Sequence, residues 1–174
     1  MNRVPLFCLA FSLLMASIAS GQSVDCEFSD GADFSHFKTY KWVTFKNVAP
    51  IDDVTDEQIK AAVDTALAKK GLTKVDGDTA DLFIGYQTNE LIDEKFAKLP
   101  TWDVSPQTIY HGELAINMYT PANHNLVWRG VASKTFDPKA KPEKRQKYLN
   151  KAVAKMMNNY PPSGKNACRL VSPS

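Results

Sequence analysis

The stretch NLVWRGVASKTF, residues 125–136, sets Trp128, Arg129 and Gly130 side by side in a run whose Val, Thr and Phe content marks a β-strand. Alternation puts Leu126, Trp128, Gly130, Ala132 and Phe136 on one face and Val127, Arg129, Val131, Ser133 and Thr135 on the other. A large ring next to two small residues lets a helix approach a sheet closely, so Trp128 reads as a packing device. Arg129, flanked by Val127 and Val131, is expected either to reach toward solvent or to pair with an acidic side chain on the neighbouring strand.

Upstream, YHGELAINMYT (110–120) alternates Leu114, Ile116 and Met118 against Glu113, Ala115 and Asn117, and the turn PANHN (121–125) joins the two runs as an antiparallel hairpin. ADLFIGYQT (80–88) alternates in the same way, FKTYKWVTF (37–45) is rich in aromatic and β-branched residues, and LTKVD (72–76) is a short further strand. Between them, Ile59, Ala62, Val63, Ala66 and Leu67 recur at helical spacing. Thr55 and Gln58 fit a capping box at the start, and Lys69, Lys70 and a C′ Gly71 fit the end. A second helix opens at Pro142 and Glu143, carries Leu149, Ala152, Val153, Met156, Met157 and Tyr160 as its apolar stripe, and stops at Pro161 and Pro162.

These elements predict a single α+β domain, a mostly antiparallel sheet of about five strands with two amphipathic helices packed on one face. The expected core is Tyr40, Trp42, Leu67, Leu82, Ile84, Leu114, Ile116, Trp128, Val153 and Met157. Residues 89–107 show no sustained period and contain Pro100 and Pro106, so they read as a long loop. Its Phe96 and Trp102 are candidates for binding a partner.

The chain begins with Arg3, an uncharged run from Val4 to Ala19 and the small-residue patch ASIASGQ, the layout of a secretory signal peptide over residues 1–21. Cleavage is expected after Gly21 or after Ala19. The apolar run is shorter than the roughly 20 residues that span a bilayer, so no transmembrane span is expected in the mature chain. Neither Cys8 nor Cys26 follows the triplet of a lipoprotein signal, which predicts a periplasmic or secreted protein occupying residues 22–174. The two cysteines left, Cys26 and Cys168, are expected to form a disulfide in an oxidising compartment.

The sequence lacks a glycine-rich phosphate loop, a nucleophile elbow and any paired-histidine metal spacing around His36, His111 or His124. No cofactor, metal or catalytic residue is therefore assigned. Asp76, Asp78 and Asp81 resemble the opening of a calcium loop, but Gln87 stands where the bidentate Glu belongs. On the second helix Lys144, Lys147, Lys151 and Lys155 recur opposite the apolar stripe as one cationic ridge, a candidate contact for an anionic membrane surface or polyanion. Export weighs against nucleic acid as the partner.

FSHFKTYKW (34–42), a helix ending in KKGL (69–72), ADLFIGY (80–86), HGELAINMY (111–119), LVWRGVAS (126–133) and a last helix running into YPP (160–162) occur in an order that resembles the bacterial envelope family known as domain of unknown function 4136. The likeness spans residues 34–162. It implies an exported, often lipid-anchored α+β domain and brings no activity, cofactor or catalytic residue. This chain lacks the lipoprotein cysteine, and Asn117 stands where members tend to carry an acidic residue. The expected function is a non-catalytic envelope module binding an envelope protein or anionic envelope component. The alternatives are a hydrolase-like enzyme using His111 with Glu113, or a membrane-surface binder held by the lysine ridge.

Overall fold

The computed structural model describes residues 22–45, 51–77, 79–97, 105–163 and 168–172, with the backbone alone for 92–97 and 105–108. The element order is β1 (Ser23–Ser29), β2 (Thr39–Trp42), α1 (Asp53–Ala68), β3 (Thr73–Lys74), β4 (Leu82–Ala97), β5 (Ser105–Tyr119), β6 (Leu126–Phe136), α2 (Pro142–Met157) and β7 (Arg169–Val171). The strands form one seven-stranded sheet in the order β3-β2-β4-β5-β6-β1-β7. Its centre, β4/β5, β5/β6 and β6/β1, is antiparallel, and its margins, β2/β3, β2/β4 and β1/β7, are parallel. The α+β class holds, while the expected five strands become seven in a mixed sheet. The additions are the polar β1 and the three-residue edge strand β7.

The parallel margin follows from the crossover. β2 leads into α1, which returns the chain so that β3 and β4 both lie parallel to β2. Asp81 fixes the start of β4 against the start of β2: its Oδ2 accepts from the Lys38 and Thr39 amides at 2.9 and 2.8 Å and from Thr39 Oγ1 at 2.8 Å. In return, its own amide donates to Thr39 Oγ1 at 3.0 Å. These donors, the Lys38 amide first, hold the Asp81 carboxyl below its ordinary pKa. The residue singled out for a calcium loop is thus spent on strand registration, and Asp78 lies outside the described residues.

The N-cap of α1 is Asp52, not the expected Thr55. Asp52 Oδ1 accepts from the Thr55 amide at 3.0 Å, and Thr55 Oγ1 donates to Asp52 Oδ2 at 2.7 Å. At the other end Lys69 is the C-cap, which moves Gly71 one residue beyond its expected place; its φ of 84° is a conformation glycine adopts freely. α2 begins on Pro142, where a missing amide proton costs nothing.

Both helices cover the face that carries Tyr40, Leu82, Ile84, Leu114, Ile116 and Trp128. Nine of the ten expected core residues are buried, and Trp42 is partly so. Trp128 is fully buried and folds back over Gly130, where an added Cβ would fall under 3.0 Å from the ring. Tyr160, just past α2, meets it edge-on at 5.5 Å and also touches Phe34, which packs on Phe28 and Phe37. Beside this aromatic end, Cys26 of β1 is bridged to Cys168, with Cα atoms 4.7 Å apart at a sequence separation of 142. The trio of Trp128, Arg129 and Gly130 is therefore a packing arrangement on the helix side, with Arg129 alone facing the other way.

Residues 89–107 are not a loop over most of their length. β4 runs on to Ala97 and β5 begins at Ser105, and the ladder continues unbroken from Asn89↔Glu113 to Ala97↔Ser105. β6 accompanies β5 only as far as Tyr110↔Phe136, so the outer part of the β4–β5 pair projects as a two-stranded arm. Pro106 is accommodated because it lies on the edge of that arm. Phe96 is an arm position opposite Pro106, and Trp102 lies outside the described residues.

Candidate functional site

On the sheet face without helices, one row of register runs through four strands: Glu27 of β1, Arg129 of β6, Asn117 of β5 and Gly85 of β4. Arg129 Nη1 lies 3.8 Å from Glu27 Oε1, so of its two expected roles Arg129 takes the pairing with an acidic side chain on the neighbouring strand. Its Nε is buried and has no partner among the described residues. Asn117 is buried, with Nδ2 directed at Gln87 Oε1 at 3.5 Å. Phe45 closes the row by lying on Gly85, where any side chain would strike its ring, and by meeting Tyr119 edge-on at 5.4 Å. Burial raises the pKa of the Tyr119 hydroxyl, and the Arg129 charge offsets part of the rise. This row is polar on β1, β6 and β5 and closed by Phe45 over β4.

The helix layer is different. Lys144, Lys147 and Lys151 are exposed along α2, and Lys155, in its last turn, is half-buried. None of the four makes an ion pair with a described residue. The ridge is continued onto the sheet by Lys134 of β6, whose Nζ sits 3.5 Å from the centre of the Tyr148 ring while Lys144 Nζ approaches the same ring at 5.9 Å. Lys134 was missed by sequence reasoning, although the alternation that places Trp128, Ala132 and Phe136 toward the helices places it there as well. A lysine on the apolar phase of a strand was the available signal.

Under Tyr148, where the β4–β5 arm leaves the helix layer, lies a pocket of about 210 Å³ whose walls include Ile59, Leu114, Ala132, Phe136, Tyr148 and Leu149. Phe136 folds over Gly112, where an added Cβ would stand 3.2 Å from its ring, and tilts against Tyr110 at 6.1 Å. The small residues Gly112, Ala132 and Ala152 leave the space open. A second hollow, a broad trough of about 880 Å³, runs along the outer surface between α1 and α2 and is lined by Ala61, Thr65, Gln146, Asn150 and Ala154.

The other sequence candidates are placed apart. His111 and Glu113 share the helix-free face two positions apart on β5, and His111 Nδ1 is 3.4 Å from Thr135 Oγ1. Among the described residues no group of three His, Cys, Asp or Glu side chains is arranged to hold a metal ion. Two acidic residues of α1, Asp56 and Asp64, are tied internally. Asp64 Oδ1 accepts from Tyr40 Oη at 2.7 Å and Trp42 Nε1 at 2.8 Å, and Asp56 Oδ1 accepts from Tyr86 Oη at 2.6 Å. Lys74 and Lys60 complete the two clusters at 3.1 and 2.8 Å. No helix of the described residues is long and apolar enough to cross a membrane.

The chain belongs to the DUF4136 family, a domain of unknown function, whose model matches residues 24–162. The matched span runs from β1 to just past α2, so it takes in the lysine ridge, nearly all of the pocket lining and every strand of the sheet but β7. No curated protein matches the chain. Among solved structures the chain is similar to a PDZ domain protein from Parabacteroides distasonis, with a TM-score of 0.56 and 18% identity over 80% of this chain and 35% of that one. It thus spans about a third of that protein's length. It is also similar to PelC from Paraburkholderia phytofirmans, solved as a dodecamer, with a TM-score of 0.50 and 10% identity over 79% of this chain and 95% of that one. At these identities the likeness is one of fold.

Proposed function

We propose that the protein is an exported, periplasmic or secreted cell-envelope module, one domain over residues 22–174 behind a signal peptide at 1–21, that binds without chemistry of its own. Its contact surface is the cationic ridge of α2, and its partner is an anionic component of the envelope. The observation that carries this reading is the set of exposed lysines Lys144, Lys147 and Lys151, none in an ion pair with a described residue, on a helix whose opposite side is committed to the core. Charges left unsatisfied along one line make a field that an anionic surface meets favourably, and more so at low ionic strength. The Cys26–Cys168 bridge supports the compartment, since structural disulfides persist where thiols are not kept reduced.

Co-sedimentation of the mature domain with vesicles containing anionic phospholipid tests the surface. The native protein is expected to bind at low salt and to be released at high salt, and a Lys144→Glu/Lys147→Glu/Lys151→Glu variant is expected to stay in solution. Equal binding by the two proteins would remove α2 from the reading. Export is tested separately by fusing alkaline phosphatase behind residue 22, which becomes active only outside the reducing cytoplasm.

A further inference from the structure

We infer that the pocket beneath Tyr148 is a binding site for a small amphipathic anion, taking an apolar tail among Ile59, Leu114 and Leu149 and an anionic head between Lys134 and Lys144. The inference rests on reading α2 as the anion-facing side of the molecule, and it adds a discrete ligand to that surface. Three observations carry it.

The first is shape and lining. At about 210 Å³ the pocket exceeds the roughly 150 Å³ apolar cavity that takes up benzene, so it has room for one ring or the end of an acyl chain. Ile59, Leu114, Ala132, Phe136, Tyr148 and Leu149 give it an apolar floor that favours an apolar guest, while Thr55, Thr88, Asn89, Glu90, Glu113 and Lys134 supply polar groups around it. It exists because Gly112, Ala132 and Ala152 occupy positions where larger residues would fill the gap between α2 and the sheet.

The second is charge. Lys134 occupies the helix-facing phase of β6, a phase otherwise apolar at Trp128, Gly130, Ala132 and Phe136, and its ammonium rests on Tyr148 rather than on a carboxylate. Lys144 approaches the same ring from α2. Lys134 lines the pocket and Lys144 reaches the same phenol ring from outside it, so the two ammonium groups repel each other across Tyr148. A carboxylate or phosphate placed between them relieves that repulsion and gains charge-assisted hydrogen bonds.

The third is orientation. Glu90 lines the opposite side of the pocket, two strands from Lys134 on the row Glu90↔Gly112↔Lys134. A guest with its head at the lysines keeps that head away from the only carboxylate on that row, so the charges specify which way round the ligand enters.

Octanoate is the probe, with octanol as the uncharged tail and acetate as the bare head, followed by amide and side-chain NMR of the mature domain. Octanoate is expected to shift Leu114, Ala132 and Tyr148 saturably, octanol to bind about tenfold more weakly, and acetate to give no saturable shift. Lys134→Gln/Lys144→Gln is expected to bring octanoate down to the affinity of octanol. Thr88→Leu, which projects a larger side chain into the pocket, is expected to abolish both, with a thermal melt confirming that each variant is folded. Octanol binding as tightly as octanoate, or octanoate surviving Thr88→Leu, would overturn the assignment. A Lys147→Glu/Lys151→Glu variant separates the two readings. If the ridge reading alone fails, vesicle binding is unchanged by these substitutions while octanoate still binds; if the pocket alone fails, vesicle binding is lost by them and octanoate never bound.

Discussion

The two helices rest on the same sheet by different physics. α1 is pinned by carboxylates: Asp56 and Asp64, eight residues apart on its sheet-facing margin, take the hydroxyls of Tyr86 and Tyr40 and the indole of Trp42. α2 is held by Ala152, Val153, Met156 and Met157, and by Tyr160 against Trp128, with no side-chain hydrogen bond to the sheet among the described residues. Asp56, Lys60 and Asp64 of α1 are therefore engaged in holding the fold, whereas Lys144, Lys147 and Lys151 of α2 pair with no acidic side chain among the described residues. That difference is the physical reason for looking for function on α2.

The largest effect expected is at the anchor of α2. Trp128→Ala removes a fully buried ring that touches Tyr160 and covers Gly130, and a loss of about 3–5 kcal/mol by denaturant unfolding is expected. Gly130→Ala tests the same anchor from below. The new methyl has to displace the indole, and a loss of about 1–3 kcal/mol is expected, far above the small cost of an exposed substitution. A smaller penalty for Trp128→Ala than for breaking the α1 clamp would reverse the comparison.

On α1, Asp64→Ala leaves Tyr40 Oη and Trp42 Nε1 without an acceptor, and about 2–3 kcal/mol is expected to be lost, with Asp64→Asn less damaging because one oxygen remains. The Asp56 clamp also makes α1 the acid-sensitive helix. Burial opposes the ionisation of Asp56, but the hydrogen bonds from Lys60 and Tyr86 outweigh it and hold its carboxyl below the ordinary value. A folded-state pKa below the unfolded one means that this stability is complete above about pH 4 and is lost as the pH falls further. Hydrogen exchange is thus expected to show α1 losing protection before α2 on acidification, and Asp56→Asn is expected to flatten that difference. The alkaline side does not discriminate. Burial, reinforced by the aspartates, raises Tyr40 and Tyr86, and burial alone raises Tyr160 beside α2, so both helices lose support above about pH 10.

Helix phase and strand alternation were legible wherever an element has one wet and one dry face, which is why the stripes of α1 and α2 and the 110–136 hairpin are found where the sequence places them. The β4–β5 arm was illegible for the same reason. Beyond Tyr110 it has no third strand beside it, so the backbone ladder continues without an apolar period to announce it. β1 was hidden in SVDCEFS, whose inward Val24, Cys26 and Phe28 are separated by polar residues at the start of the domain, and β7 is only three residues long. The acidic cluster at 52–57 was visible as charge alone. That Asp52 caps the helix and Asp56 binds Tyr86 depends on a partner 30 residues away in the second case. The lysine ridge was legible because it repeats locally, whereas its continuation at Lys134 needed the register of β6 against α2.

The smallest expected effect is the one that most sharpens the contrast between the helices. Lys147→Ala and Lys151→Ala remove exposed ammonium groups that pair with no described residue, so stability is expected to stay within about 0.5 kcal/mol of the native protein. Lys60→Ala, on α1, removes the 2.8 Å partner of Asp56 and is expected to cost more, although its side chain is as exposed as many surface lysines. If the α2 lysines were structural, their removal would lower the denaturation midpoint at least as far as Lys60→Ala does. If they are a surface held in readiness for an anion, the unliganded protein will be indifferent to them, and the loss will appear only when an anionic ligand is present to report it.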